Sequence, residues 1–389
     1  MNTFDFGEDS KSISTLLIDL FEIGAVYRQE GKLVYSLSYR FDRAQSVKLI
    51  KDRLKMAGYR FSLSEQEDVL VLYIDPQRRF KIPRINVVLF VLTLFSIYFV
   101  PVLLKNLNLA MYHMANQRVP PPDGFLGEVS LTLSVIPLAF SAAMSDLANG
   151  VGIEFTLALI SILFVHEMGH FIASRRRNII TSWPYFIPAP NIIGTFGAII
   201  KSKSPFWNRR DLIEVGAAGP IAGWVVAVGW LLWGLTQSTI LPADAFSPKD
   251  MLFSLEGESI LMRAATLTLV GPAPEGLYYR LTEAAFAGWV GLLVTAINLL
   301  PIGQLDGGHI LYGLIRKSQF ILARLAMVGL FVLGFHSMMW WLFAGFGLIF
   351  GVKHPPTMDD NRKPAPVATA LGIVSLLILV LSFTPVPFH

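Results

Sequence analysis

The sequence contains no cysteine. That absence excludes a disulfide scaffold and thiolate metal sites, so any bound metal falls to histidine, aspartate or glutamate. Charge is scarce as well: charged residues make up 15% of the chain and the formal net charge is only +4. No dense basic stripe with interleaved aromatics occurs, which argues against a nucleic-acid partner. The opening stretch MNTFDFGEDSK has neither a basic run before an apolar core nor the Arg- and Ser-rich character of a transit peptide, so Met1 is expected to be the mature start. Apolar residues are what the chain has in excess: 53% are hydrophobic and the mean hydropathy is +0.53. This balance predicts a polytopic α-helical membrane protein rather than a soluble globular one.

Residues 1–80 differ from the rest, being charged and mixed without a run long enough to cross a bilayer. KLVYSLSYRF alternates as a strand, RAQSVKLIKDRLKMAG has helical spacing ending in Gly58, and YRFSLSE and VLVLYIDP read as two further strands. The expectation is a small α+β soluble domain, serving for regulation, docking or simply solubility. Residues 85–389 form the membrane domain. Seven apolar runs are expected to cross, near 85–104, 151–174, 212–235, 284–303, 320–335, 338–352 and 366–385. The fifth and sixth are short enough to be a helical hairpin or one long kinked helix. A weaker segment, 129–146, holds Pro137 and Asp146 and is expected to be interfacial or re-entrant. Basic clusters (Arg78, Arg79, Lys81 and Arg84; Arg175 to Arg177; Arg209 and Arg210; Arg316 and Lys317; Lys353, Arg362 and Lys363) share one side under this topology. Positive charge accumulates in cytoplasmic loops, so the first 80 residues are expected in the cytoplasm and the chain in the cell membrane.

His166, Glu167 and His170 spell H-E-x-x-H inside the second apolar run. On a helix, histidines four apart project from one face, so both imidazoles can reach one zinc ion. Glu167 beside them can take a proton from metal-bound water and deliver it to a leaving amine. A coincidental polar patch is the plainer reading, but ionisable groups at membrane depth are costly, and three together argue for a function.

Catalytic zinc takes three protein ligands and one open position. Asp306, in NLLPIGQLDGGHIL, sits near the cytoplasmic end of the fourth run, at the depth of the histidines. Pro301 and Gly303 should break that helix, and a helix restarting near Asp306 would place its carboxylate at a positive dipole end. His309 is a rival third ligand or a supporting group. Asn298 can donate an amide hydrogen bond to a developing oxyanion, or bond across a helix interface.

HEMGH in one run with NLLPIGQLDGGH in a later one resembles the site-2 protease family of intramembrane zinc metalloproteases. The resemblance runs from about Ile85 onward. It implies that His166, His170 and Asp306 bind one zinc ion, that Glu167 is the catalytic base, and that the substrates are transmembrane proteins. PYFIPAP, GTFGAII, GAAGPIAGWV and HPPTMDD are similar to the bacterial and chloroplast branch that lacks a PDZ domain, and no such insert is present here.

The neighbouring segments fit that expectation. Residues 183–206 are apolar but hold Pro184, Pro188, Pro190 and Pro205, which predicts a short membrane-dipping β-hairpin whose edge pairs with an unwound substrate. Gly219 and Gly223 have the small-xxx-small spacing that lets another helix approach, including the metal-bearing one. RVPPPDG, 118–124, reads as a stiff turn. Two other functions stay open: a metal-ion transporter, against which stands the lack of a repeated His-Glu motif, and a family member that binds membrane proteins without cutting them, against which stands the intact Glu167.

Overall fold

A computed structural model describes residues 7–29, 32–66, 69–75, 82–116, 124–177, 179, 181–202, 206–242, 252–253 and 258–387. The turn expected at 118–124 lies outside these residues apart from Gly124, as do Arg78, Arg79 and Lys81. The chain forms two compact units, one of residues 1–84 with 174–183 and 201–205, the other of 85–173, 184–200 and 206–389.

The first unit contains α1 (Gly7–Leu17), β1 (Phe21–Gln29), β2 (Lys32–Tyr39), α2 (Arg43–Met56), β3 (Arg60–Gln66) and β4 (Val69–Asp75). The strands form one antiparallel sheet in the order β1-β2-β4-β3. Leu33, Tyr35, Leu37, Leu70, Leu72 and Ile74 from the central strands are buried, as are Ile50 and Leu54 of α2 and Ile13 and Leu17 of α1. Helix α2 begins where the Asp42 carboxylate accepts from the Gln45 amide at 2.8 Å, and the chain leaves it through Gly58 at φ +82°. The Arg53 side chain, 1% exposed, donates to both Asp19 carboxylate oxygens at 2.6 and 2.8 Å and to the Leu16 carbonyl at 2.8 Å. Helix α1 and strand β1 are additions to the elements expected from the sequence.

The second unit is mostly helical. It runs α3 (Arg84–Asn116), α4 (Gly124–Ala148), α5 (Ile153–Arg176), β5 (Tyr185–Pro188), β6 (Thr195–Ile199), α6 (Arg209–Leu235), β7 (Thr239–Pro242), β8 (Leu252–Phe253), α7 (Ile260–Leu269), β9 (Leu277–Arg280) and α8 (Glu283–Asn298). After a break come α9 (Asp306–Ile315), α10 (Gln319–Leu333), α11 (Met338–Phe350) and α12 (Pro366–Ser382). Helices α3 and α5 cross the division between the units by a few residues.

Among the described residues, three helices are long and apolar enough to cross a membrane: Arg84–Met114 of α3, α5 and α6. The four later runs expected to cross correspond to α8, α10, α11 and α12, which have only 16, 15, 13 and 17 residues. At about 1.5 Å per residue each is shorter than a hydrocarbon core of about 30 Å, so these lengths do not confirm seven full crossings. Segment 129–146 lies inside α4, one unbroken helix that passes through Pro137.

Helix α6 packs on α8, α9 and α12. Its small residues permit this. A Cβ added at Gly219 would overlap the His170 imidazole, and one at Gly223 would lie 2.9 Å from the His166 Cβ. The expected close approach of α6 to the helix of His166 and His170 is therefore present, and it occurs at the histidines themselves.

Candidate metal centre

Helix α5 carries His166, Glu167 and His170 on its C-terminal half. Its N-terminus is fixed by the Glu283 carboxylate at the start of α8, which accepts from the Gly152 amide at 3.0 and 3.1 Å. A carboxylate there satisfies an otherwise orphaned N–H and complements the positive end of the helix dipole.

The second contributor comes from a helix break. Helix α8 stops at Asn298 and α9 starts at Asp306, with the turn between them passing through Pro301 and Gly303 at φ +53°. Proline cannot continue the α8 hydrogen-bond ladder, and the left-handed backbone at 303 favours glycine. Asp306 thus lies in the first turn of a new helix, as the sequence predicts.

The three side chains converge. His166 Nε2 lies 3.4 Å and His170 Nε2 3.2 Å from Asp306 Oδ2, and the two Nε2 atoms are 3.2 Å apart. One ligand atom from each residue lies within 4.8 Å of the others. His166 is 4% exposed and Glu167 7%.

The second nitrogen of His170 decides what this cluster can do. His170 Nδ1 is 2.8 Å from the carbonyl oxygen of Val215 on α6. A carbonyl only accepts, so Nδ1 holds the proton and a neutral His170 presents the Nε2 lone pair to the cluster. Lone pairs and a carboxylate meeting at this spacing repel one another unless a cation or extra protons lie among them. Two imidazoles and one carboxylate are a donor set that could hold a metal ion, and they match in kind the three protein ligands that catalytic zinc takes.

Residues 154–339 match the model of peptidase family M50. This region belongs to peptidase family M50. It is the site-2 protease family that the two motifs resemble, and the M50 segment holds His166, Glu167, His170, Asn298, Asp306 and His309. The chain is 34% identical over 236 residues to "Probable zinc metalloprotease EGY1, chloroplastic" of Arabidopsis thaliana, covering 59% of this chain and 42% of that protein. It is 30% identical over 312 residues to the protein of the same name from Oryza sativa subsp. japonica, covering 77% of this chain and 50% of the relative. To "Probable zinc metalloprotease EGY2, chloroplastic" of Arabidopsis thaliana it is 32% identical over 241 residues, covering 61% and 42%. The chain therefore spans about half the length of the curated relatives it matches. No solved structure matches it.

The remaining candidates of the M50 segment divide. Asn298 is the last residue of α8 and half-buried. His309 lies one turn beyond Asp306, but its Nδ1 faces His354 Nε2 at 2.6 Å, so that nitrogen is committed outside the three-residue cluster. His354 is buried at 3% exposure rather than set in an open polar segment. Burial pushes its imidazole down to about 4, so it is neutral at pH 7. Sequence reasoning did not single out Val215, Gln319, Tyr312 or Asp360, which support the site from positions remote in the chain. Only the HPPTMDD stretch offered a signal, because it holds both His354 and Asp360.

The proline-rich segment between α5 and α6 forms the expected hairpin. Strands β5 and β6 pair antiparallel with Tyr185 opposite Ile199 and Pro188 opposite Thr195, and the Thr195 hydroxyl donates to the Ile187 carbonyl at 2.7 Å. The hairpin is tied to α3: Asn86 donates to the Pro184 carbonyl at 2.8 Å and Ser96 to that of Ala189 at 3.2 Å. Phe186 is buried between Phe90 and Phe164, whereas Phe196 and Ile199 are exposed.

Proposed function

We propose that this protein is an intramembrane zinc endopeptidase that hydrolyses peptide bonds in or near the transmembrane helices of other membrane proteins. The observation that carries the reading is the meeting of His166, His170 and Asp306 from two helices, with the buried Glu167 next to them in sequence.

His166, His170 and Asp306 would hold a zinc ion, which would supply Lewis acidity toward a peptide carbonyl and a water. Glu167 accepts the proton of the attacking water as its oxygen bonds to the carbonyl carbon. It then hands that proton to the amide nitrogen as the C–N bond breaks, and is regenerated. The Asn298 amide donates to the carbonyl oxygen while negative charge develops there. Strand β6 belongs to a two-stranded sheet, so among the described residues one of its edges has no strand neighbour. That edge pairs with a substrate segment unwound from its helix, and Phe196 and Ile199 give it apolar contacts.

In this reading residues 85–389 are the protease domain, and residues 1–80 are a cytoplasmic domain for docking or regulation. The site opens toward the cytoplasm of a cell membrane, on the side favoured by the basic loops. The test is Glu167→Gln in protein reconstituted with a transmembrane substrate. Cleavage falls on the order of 10²–10⁴-fold while zinc stays bound. Undiminished cleavage removes Glu167 as the base, and wild-type protein that takes up zinc without cutting any membrane substrate overturns the function.

A further inference from the structure

The loop between α11 and α12 touches the aspartate-bearing half of the site at successive points. The Gly303 amide donates to the Val352 carbonyl at 3.2 Å, which ties the loop to the turn before Asp306. The Gln319 side chain, 1% exposed, reinforces that tie: its amide donates to the carbonyls of Pro301 at 3.0 Å and Val352 at 3.2 Å, and its oxygen accepts from the His354 amide at 3.4 Å. One turn into α9, His354 Nε2 meets His309 Nδ1 at 2.6 Å. A further turn along, the Tyr312 hydroxyl donates to the Asp360 carboxylate at 2.5 Å, and the same carboxylate accepts from the Thr357 amide and hydroxyl at 3.1 and 2.6 Å. The loop is itself anchored at the start of α6, where the amides of Met358 and Asp359 donate to the carbonyls of Phe206 at 3.0 Å and Trp207 at 2.7 Å.

The protons in this chain of contacts are determined. His354 Nδ1 lies 2.5 Å from the Pro355 carbonyl, an acceptor, so Nδ1 carries the proton and Nε2 accepts. His309 Nδ1 must then be the donor in the bond between the two rings. A backbone carbonyl of the loop thereby fixes both tautomers in series, without any charge on either ring. His309 follows Asp306 by three residues on the same helix, and such residues are neighbours on one face. Holding the His309 ring therefore holds the rotation of α9 about its axis, and with it the direction of the Asp306 carboxylate.

We infer that residues 352–360 form a strap whose His354, acting through His309, is a positioning residue for Asp306 and sets the affinity of the site for its metal. The inference rests on the metal-site reading above. Partners of this kind, beyond the ligands themselves, change metal affinity by about 10–100-fold when removed.

The experiment is a chelator-competition titration of zinc on the full-length protein in detergent micelles, with the unfolding temperature of the zinc-free form measured alongside. His354→Leu keeps bulk and loses the acceptor, and is expected to weaken zinc about 10–100-fold with the zinc-free unfolding temperature unchanged. His354→Gln retains an acceptor and restores most of the affinity. Wild-type affinity in His354→Leu overturns the inference, as does an affinity loss that Gln does not repair. If His354→Leu fails to fold, Asp360→Ala, which releases the outer end of the strap at Tyr312, is judged by the same zinc criterion. Asp306→Ala runs in parallel: if it binds zinc as wild type does, the metal-site reading itself fails, whereas zinc lost there but kept in His354→Leu sinks only the strap.

Discussion

Both units of the molecule bury charged side chains, and the contrast between them separates structure from function. In the N-terminal unit, Arg53 is 1% exposed and its guanidinium meets the Asp19 carboxylate and the Leu16 carbonyl: donors face acceptors and every contact attracts. In the helical unit, His166, His170 and Asp306 bring two imidazole nitrogens and a carboxylate oxygen to within 3.2–3.4 Å of one another. The first arrangement pairs a guanidinium with a carboxylate and a carbonyl and needs no added cation. The second needs a cation or extra protons among its three groups. Burial of a charge therefore does not mark a site; a surplus of lone pairs directed at one point does.

The strongest way to break this contrast is to fill the space the metal-bearing helix needs. Gly219→Val puts side-chain atoms where the His170 ring lies, so the histidine must move or α5 and α6 must part. Overpacking of this kind costs about 1–3 kcal/mol. Bound zinc, measured by atomic absorption on the purified protein, should disappear, and stoichiometric zinc in Gly219→Val would mean that the histidines do not need this packing.

Arg53→Met should lower the stability of the N-terminal unit by about 1–3 kcal/mol, below the about 3–5 kcal/mol of a fully buried broken pair because Asp19 is 32% exposed. Hydrogen exchange in β2 and β4 of the full chain should accelerate while zinc content stays at the wild-type level. Lost zinc would show that a purely structural pair matters to the site.

Thr195→Val removes the bond from its hydroxyl to Ile187 and the one it accepts from the Gly197 amide at 2.9 Å, worth about 1 kcal/mol of hairpin stability. Substrate cleavage should weaken at low substrate concentration more than at saturation, with zinc unaffected; an unchanged KM would separate the hairpin from substrate binding. The smallest effect belongs to Glu65→Gln. The pair of Glu65 with Arg43 is half-exposed at both ends, so calorimetry should detect no shift in unfolding.

The parts of this account legible in the sequence are those written in local spacing. H-E-x-x-H needs only a helix, and the alternation of β2 and β4 needs only a strand. Asp306 was legible because Pro301 and Gly303 announce a broken helix before it. Strand β1 was not: FEIGAVYRQ is an edge strand, exposed along most of its length, so it carries no clean alternation. The later crossings are not confirmed, because hydropathy records that a run is apolar but not where its helix stops, as at Asn298. The strap was invisible for a different reason. Its bonds to the rest of the unit join residues 33 or more positions apart, as in Gln319 with Val352, His309 with His354 and Tyr312 with Asp360, and no short-range pattern encodes such pairings.

The measurement that bears most directly on the central claim is X-ray absorption at the zinc edge, on wild-type protein and on Asp306→Ala. The wild type should show one zinc per chain with two imidazole nitrogens at about 2.0–2.1 Å and a carboxylate oxygen at about 2.0–2.2 Å, and Asp306→Ala should lose the oxygen ligand together with most of the metal. An identical shell in the two proteins, or zinc bound through a single imidazole, would contradict a site shared between α5 and α9.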